Sequence, residues 1–195
     1  KGGKNKTQII CLDGSGEGVF DGGIVPDIII GDMDSTSLRF LNMAPKLGIE
    51  VQHITDQKTT DLEKALLYIQ NKPGRVSLYN VIGGGRLDHS LENISLMKKF
   101  FPILREIIVY DKNQKLFYTE NCCVNLYGEV GDLVGVFGCY NCSITSRGLF
   151  YDIKDEDLNF GCFNSVSNGL RDREAQISIN GSAIVVIDKR VSFYF

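Results

Sequence analysis

No stretch of this chain is apolar for anything near the roughly 20 residues needed to cross a bilayer. Nor is there an excess of positive charge: the net charge is −3, which gives no footprint for nucleic acid or an anionic membrane surface. Only two histidines occur, His53 and His89. Six cysteines are present, but Cys139-Tyr140-Asn141-Cys142 has no second C-x-x-C to complete a zinc site, and the adjacent Cys122 and Cys123 would face opposite ways on a strand. Free thiols of a reducing compartment are therefore expected, with the cytosol as the location. The opening KGGKNKTQIICLDG is basic, yet its apolar stretch is too short for a secretory signal. Neither an internal repeat nor a low-complexity tract occurs beyond the first six residues.

What is present is ordinary globular material: 195 residues, 43% hydrophobic and 23% charged, enough to bury a substantial core. Two textures divide it. Up to about residue 110, apolar runs typical of strands buried on both faces (TQIICL, PDIIIGD, VQHIT, RVSLYNVIG, EIIVYD) alternate with helical patterns in STSLRFLNMAPKLG, TTDLEKALLYIQN and LDHSLENISLMKKF. Strands alternating with helices predict an α/β domain with a mainly parallel, Rossmann-like sheet over residues 1–114. After that, LFYTE, CCVNLYGE, LVGVFG, SITSRGLFYDI, AQISING, SAIVVIDKR and VSFYF read as short strands divided by polar turns. The expectation for 115–195 is an all-β sandwich domain.

In an open α/β sheet, ligands bind beyond the carboxyl ends of the strands, and three such ends carry chemistry. PDIIIGDMDSTS places Asp32 and Asp34 two residues apart. On an extended chain they would share a face, where their repulsion calls for a cation between them. In HITDQKTTDLEKAL, Thr60 and Glu63 fit a capping box that puts Asp61 in the first helical turn. The helix dipole alone favours an acid there, and Gln57 and Lys64 say little singly. NVIGGGRLDHSLEN sets Gly83, Gly84 and Gly85 between a strand and a helix, a backbone cradle for phosphate. Arg86 follows with a fork suited to phosphate oxygens, then Asp88 and His89. Acids, a phosphate cradle and an arginine point to Mg²⁺-assisted transfer of a phosphoryl-type group.

These segments resemble the thiamin pyrophosphokinase family along most of the chain. The resemblance is carried by Gly31-Asp32-Met33-Asp34-Ser35, by the run from Asp56 to Leu66 (closer to eukaryotic members), and by Gly84 to His89 with Asn93 after it. Gly148-Leu149-Phe150-Tyr151 and Ser165-Val166-Ser167-Asn168 then follow in the family's order. The resemblance implies diphosphate transfer from ATP to thiamin with Mg²⁺, in a homodimer whose sites lie between subunits. It implies Asp32, Asp34 and Asp61 as metal and triphosphate ligands, and Gln57, Thr60, Lys64, Arg86 and Asp88 as groups that position ATP and the transferred group. Asp61 and Asp88 are the candidates for a general base, and Ser165, Ser167 and Asn168 for thiamin binding.

Two departures stand out. Where the family has A-D-G-G and then an Asn-Arg pair, this chain has Leu12-Asp13-Gly14-Ser15 and then Gly16-Glu17-Gly18. Asp13 remains as a candidate metal or ATP-site acid, without the arginine. The C-terminal Trp of eukaryotic members is also missing, since the chain has no Trp, and an aliphatic contact from Ala183-Ile184-Val185-Val186 is expected instead. Two rival readings use the same residues. In a haloacid-dehalogenase-like phosphatase Asp32 would be the nucleophile, but no later acid pair suits it. A non-catalytic nucleotide-binding domain would not need every acid.

Overall fold

Three consecutive isoleucines, Ile28, Ile29 and Ile30, are each 1% exposed or less, so their strand is covered on both faces. The computed structural model describes residues 7–72 and 74–195. It divides into two compact units, Lys1–Lys72 and Pro73–Phe195.

In the first unit, β1 (Ile10–Leu12), β2 (Ile28–Gly31) and β3 (Glu50–His53) form a parallel three-stranded sheet in that order. Helices α1 (Ser15–Asp21) and α2 (Leu38–Met43) and a 3₁₀ turn (Ala44–Leu47) precede β3, and α3 (Asp61–Ile69) follows it. On one face Ile29 packs with Cys11, Phe40, Ala44 and Ile49; on the other, Ile28 and Ile30 pack with Ala65 of α3. Opposite faces of one strand thus feed two cores, as an uninterrupted apolar run requires. Pro45 ends α2 as the sequence predicted, by forcing the tighter 3₁₀ turn. Helix α1 was not foreseen, because Gly16 and Gly18 depress helix propensity. Gly16 is there for packing: a Cβ would stand 3.1 Å from the Ile29 side chain.

The second unit begins with β4 (Val76–Tyr79), α4 (Leu87–Phe100) and β5 (Ile107–Tyr110). Then come β6 (Gln114–Tyr127), β7 (Leu133–Arg147), β8 (Glu156–Leu158), β9 (Ser165–Gly169), β10 (Glu174–Asp188) and β11 (Ser192–Tyr194). β4 and β5 pair in parallel, and β5 joins β6 to continue the order β4-β5-β6-β10-β7-β8; β11 pairs with β6 and β9 with β7. The α/β texture and the β-rich texture therefore share one mixed sheet through the β5–β6 pairing. Among the described residues no helix is long and apolar enough to cross a membrane.

The β-rich part has fewer and longer strands than its sequence suggests. LFYTE and CCVNLYGE form a single strand, as do AQISING and SAIVVIDKR. The polar residues between them mark a bend that runs across three strands. Asn121, Asn141 and Gly181 all have positive φ, and the Gly181 amide donates to Asn121 Oδ1 at 2.8 Å. The β10 register shifts there against both neighbours, which is how a bulge bends a long strand without ending it.

At Gly181 the φ is +91°, and a Cβ would collide with the Asn141 carbonyl. Gly181→Ala is expected to cost roughly 2 kcal/mol or more, which lowers Tm by about 4–8 °C in a chain of this size. Gly18→Ala, in helix α1 with nothing near the added methyl, should leave Tm unchanged or raise it. Thermal unfolding followed by circular dichroism checks both.

Candidate functional site

The carboxyl ends of β1 and β2 and the start of α3 bring three acids together. Carboxylate oxygens of Asp13, Asp32 and Asp61 lie within 4.8 Å of one another. Asp34 is outside that group. The strand ends at Gly31, and Met33 takes a left-handed conformation with φ +62°. The period-2 rule that would align Asp32 with Asp34 applies only to extended chain. Asp34 instead accepts a hydrogen bond from Ser35 Oγ at 2.8 Å.

Asp13 takes the third corner. Its φ is +30°, and its amide donates to the Ile30 carbonyl at 2.8 Å, stitching the end of β1 to β2. The buried carboxylate accepts from the Ser35 amide at 3.0 Å and from Thr36 Oγ1 at 2.7 Å. This approach needs Gly31, where a Cβ would sit 2.7 Å from the Asp13 Cβ. The glycine of the Gly31-Asp32-x-Asp34 segment therefore makes room for an acid from the neighbouring strand.

Around this cluster the charges are partly balanced. Gln57 Nε2 donates to Asp32 Oδ2 at 2.9 Å, and that bond holds the Asp32 carboxyl below the usual carboxylate range. Lys64 is buried, with its ammonium 2.9 Å from Asp61 Oδ1. Thr60 is the N-cap of α3, as the sequence predicted, its hydroxyl accepting from the Glu63 amide at 3.3 Å. Asp56 accepts from the Lys58 amide and Thr59 Oγ1, which shapes the preceding turn. Closely spaced carboxylate oxygens are the donors that Mg²⁺ prefers, so the cluster fits that ion.

In the second unit, Gly83 and Gly84 have φ of +81° and +70° and Arg86 is the N-cap residue of α4. Ser90 Oγ accepts from the Gly83 amide at 3.0 Å, and Asn93 Nδ2 donates to the Val81 carbonyl, bracing the turn. A Cβ on Gly83, Gly84 or Gly85 would meet nothing within 4 Å, so the turn's backbone lies open. Arg86 grips Asp88 in a two-point pair, at 2.9 and 2.7 Å, which holds the Asp88 carboxyl far below its ordinary value. Both side chains are exposed.

The Ser165–Asn168 segment is strand β9 rather than a free polar turn. Ser165 and Asn168 are buried, whereas Ser167, at φ +58°, is exposed. Asn168 spends its amide on its own chain, accepting from the amides of Tyr151 (3.1 Å) and Gly169 (2.9 Å) and donating to the Tyr151 carbonyl (2.7 Å) and Ser165 Oγ (3.2 Å). Of the aliphatic run in β10, Ala183 and Val185 are buried in the core and only Ile184 and Val186 are partly exposed. Sequence reasoning passed over Phe160 and Phe163 near β9 and gave Tyr151, named in the Gly148–Tyr151 segment, no role of its own. Phe160, Phe163 and Tyr151 are 94%, 57% and 73% exposed; two phenylalanines flanking a Gly-Cys pair in a short loop were the available signal.

The family model described as thiamin pyrophosphokinase, catalytic domain, matches residues 3–109, and the thiamin pyrophosphokinase vitamin B1 binding domain matches 122–184. A rice (Oryza sativa subsp. japonica) protein named thiamine pyrophosphokinase 1 is 29% identical over 209 residues, which cover 93% of this chain and 78% of that protein. The structure of thiamine pyrophosphokinase from Bacillus subtilis superposes with a TM-score of 0.83 at 22% identity, covering 96% of this chain and 90% of that one. The Candida albicans thiamin pyrophosphokinase gives 0.81 at 17%, covering 94% and 82%. The phosphatase and non-catalytic readings draw no support from these likenesses. With both family models matched in order along its length, the chain belongs to the thiamin pyrophosphokinase family.

Proposed function

We propose that this protein is a thiamine diphosphokinase, transferring the diphosphate of ATP to the hydroxyethyl oxygen of thiamin to give thiamin diphosphate and AMP. The observation that carries the reading is the convergence of Asp13, Asp32 and Asp61 at neighbouring strand ends, in a chain that matches both domains of the family. Mg²⁺ is the proposed metal; held by Asp32 and Asp61 with Asp13 beside them, it would neutralise the charge of the transferred group. Asp34 is proposed to act from outside this cluster, and Gln57, Thr60 and Lys64 to fix the cluster and the nucleotide beside it. Gly83 to Gly85 and Arg86 would take phosphate oxygens, and Asp88 would release Arg86 to them. Alignment and charge neutralisation supply most of the rate in such transfers. No covalent intermediate is needed, and Asp61 or Asp88 would accept the alcohol's proton.

In finer terms, the α/β part is read as a Rossmann-like catalytic domain over 1–114 and the β-rich part as a thiamin-binding sandwich over 115–195, with Ser165, Ser167 and Asn168 on the thiamin side. A cytoplasmic homodimer with shared sites is part of the proposal, supported by the family likeness. Purified protein given ATP, Mg²⁺ and thiamin should form AMP and thiamin diphosphate in equal amounts; free phosphate as the product would overturn the reading.

Two variants test the roles. Asp32→Asn should lower kcat by about 100-fold or more and raise the Mg²⁺ concentration needed for half-maximal rate. The fold should be retained with Tm unchanged or slightly lowered at neutral pH, because the Gln57 hydrogen bond favours the ionised carboxyl that the substitution removes. Near-normal turnover at limiting Mg²⁺ would exclude Asp32 from the metal site. Arg86→Lys should raise KM for ATP by about tenfold, since a point charge does not reproduce the two-point fork. Unchanged KM and kcat would reduce Arg86 to a surface residue.

A further inference from the structure

Tyr79 and Tyr110 are the last residues of β4 and β5 and stand opposite each other in the parallel register. Their rings stack with centroids 5.0 Å apart and planes 12° from parallel. Cross-strand aromatic pairs commonly stabilise sheets, but this one leaves its outer ring open. β4 is the outermost strand of its sheet, and Tyr79 is 61% exposed. With Tyr110 against one face of its ring, Tyr79 turns the other face to solvent.

The strand end gives that open face a use. In an α/β sheet, ligands lie beyond the carboxyl ends of parallel strands, and β4 and β5 are the parallel pair of this unit. Asn80 follows with φ +57°, which ends the extended run there. Gly83, the first glycine of the phosphate turn, is four residues from Tyr79, at most about 14 Å of chain. The turn's open backbone and Arg86 suit phosphate oxygens but offer nothing to a nucleobase. A flat aromatic face within one nucleotide's length of them does.

We propose that Tyr79 is the platform on which the purine base of the nucleotide substrate stacks. Resting on the thiamine diphosphokinase reading for the nucleotide, the assignment adds a base subsite to the phosphate turn. Every nucleobase can stack on an aromatic face, and a purine, with more area to overlap, gains more than a pyrimidine. The preference for the donor's base is therefore set at the end of β4, apart from the residues that take its phosphates. Tyr110 is a positioning residue: it fixes the plane of the Tyr79 ring without touching the nucleotide.

The chain contains no Trp, so Tyr79→Trp places a single indole emitter at the platform while keeping an aromatic face. Mg²⁺-ATP added without thiamin should quench its emission saturably, and inorganic triphosphate, which lacks a base, should not. A flat ATP titration, or an equal response to both, overturns the platform. In kinetics, Tyr79→Ala should raise KM for ATP about tenfold and leave KM for thiamin within about twofold, a split that general loss of structure would not produce. The parent protein should favour ATP over CTP in kcat/KM, and Tyr79→Ala should bring the two together. Unchanged discrimination in that variant would place the base elsewhere. Tyr110→Ala should raise the ATP KM in the parent but add nothing in the Tyr79→Ala background. Additive effects would mean that Tyr110 touches the base itself. The emission titration needs no turnover, so it tests the platform even if the protein makes no AMP. Normal turnover with unaffected Tyr79 variants would remove the platform and leave the enzymatic reading standing.

Discussion

Three carboxylates gathered within 4.8 Å repel one another, and the first unit is arranged around holding them there. Among the described residues, the ammonium paired with this group is that of Lys64, on Asp61. The rest of the compensation comes from dipoles. Thr36 and the Ser35 amide serve Asp13, and Gln57 serves Asp32. Hydrogen bonds to the charged form lower a carboxyl's pKa, as they do for Asp32, so that acid stays ionised into acidic solution. Its share of stability is present at neutral pH and fades as pH falls through the depressed value. An excess of negative charge remains, and a divalent cation carrying polyphosphate is its natural complement.

Much of this arrangement could be read from the sequence because it follows local rules. The parallel strands were visible as apolar runs, and their burial on both faces comes from α2 and α3 packing on opposite sides of Ile28, Ile29 and Ile30. The Thr60 cap and the turn before α4 were visible as residue patterns with fixed spacing. Where the reading failed, a single backbone torsion or a distant neighbour decided the outcome. Met33 at φ +62° separates Asp32 from Asp34, and no periodicity reports a left-handed residue between two acids. Asp13, left by the sequence as a candidate metal or ATP-site acid, joins the cluster because β1 and β2 are adjacent and Gly31 lets it approach. That adjacency is tertiary information.

In the β-rich unit the same limit took another form. Polar residues between apolar runs usually mark turns, yet Asn121, Asn141 and Gly181 mark one bend shared by three paired strands. A bulge and a turn draw on the same residue types; strand pairing tells them apart. The burial of Asp132 illustrates a related point. It is 0% exposed, accepts from the Glu129 amide at 2.9 Å, and is capped by the largely exposed Arg190. In sequence it reads as one more turn aspartate.

Exposure separates the groups that substrate can recruit from those it cannot. Arg86, Asp88, Ser165 and Asn168, which the family likeness ties to a substrate, already have partners inside this protein. Arg86 and Asp88 pair through two hydrogen bonds, but both are about two-thirds exposed. Water competes for such a pair, and its net worth is small. Phosphate oxygens also accept the fork at two points and carry more charge, so an incoming phosphate would compete with Asp88 for it. Asn168 is the opposite case: buried, with its donors and acceptors already matched to the Tyr151 backbone and to its own strand. Freeing its amide would strand the Tyr151 backbone at a cost of about 1–3 kcal/mol, with at best one new hydrogen bond in return. The same polar chemistry therefore leaves Arg86 open to exchange at the glycine turn and commits Asn168 to its own chain in β9. The difference lies in how far each side chain sits from solvent.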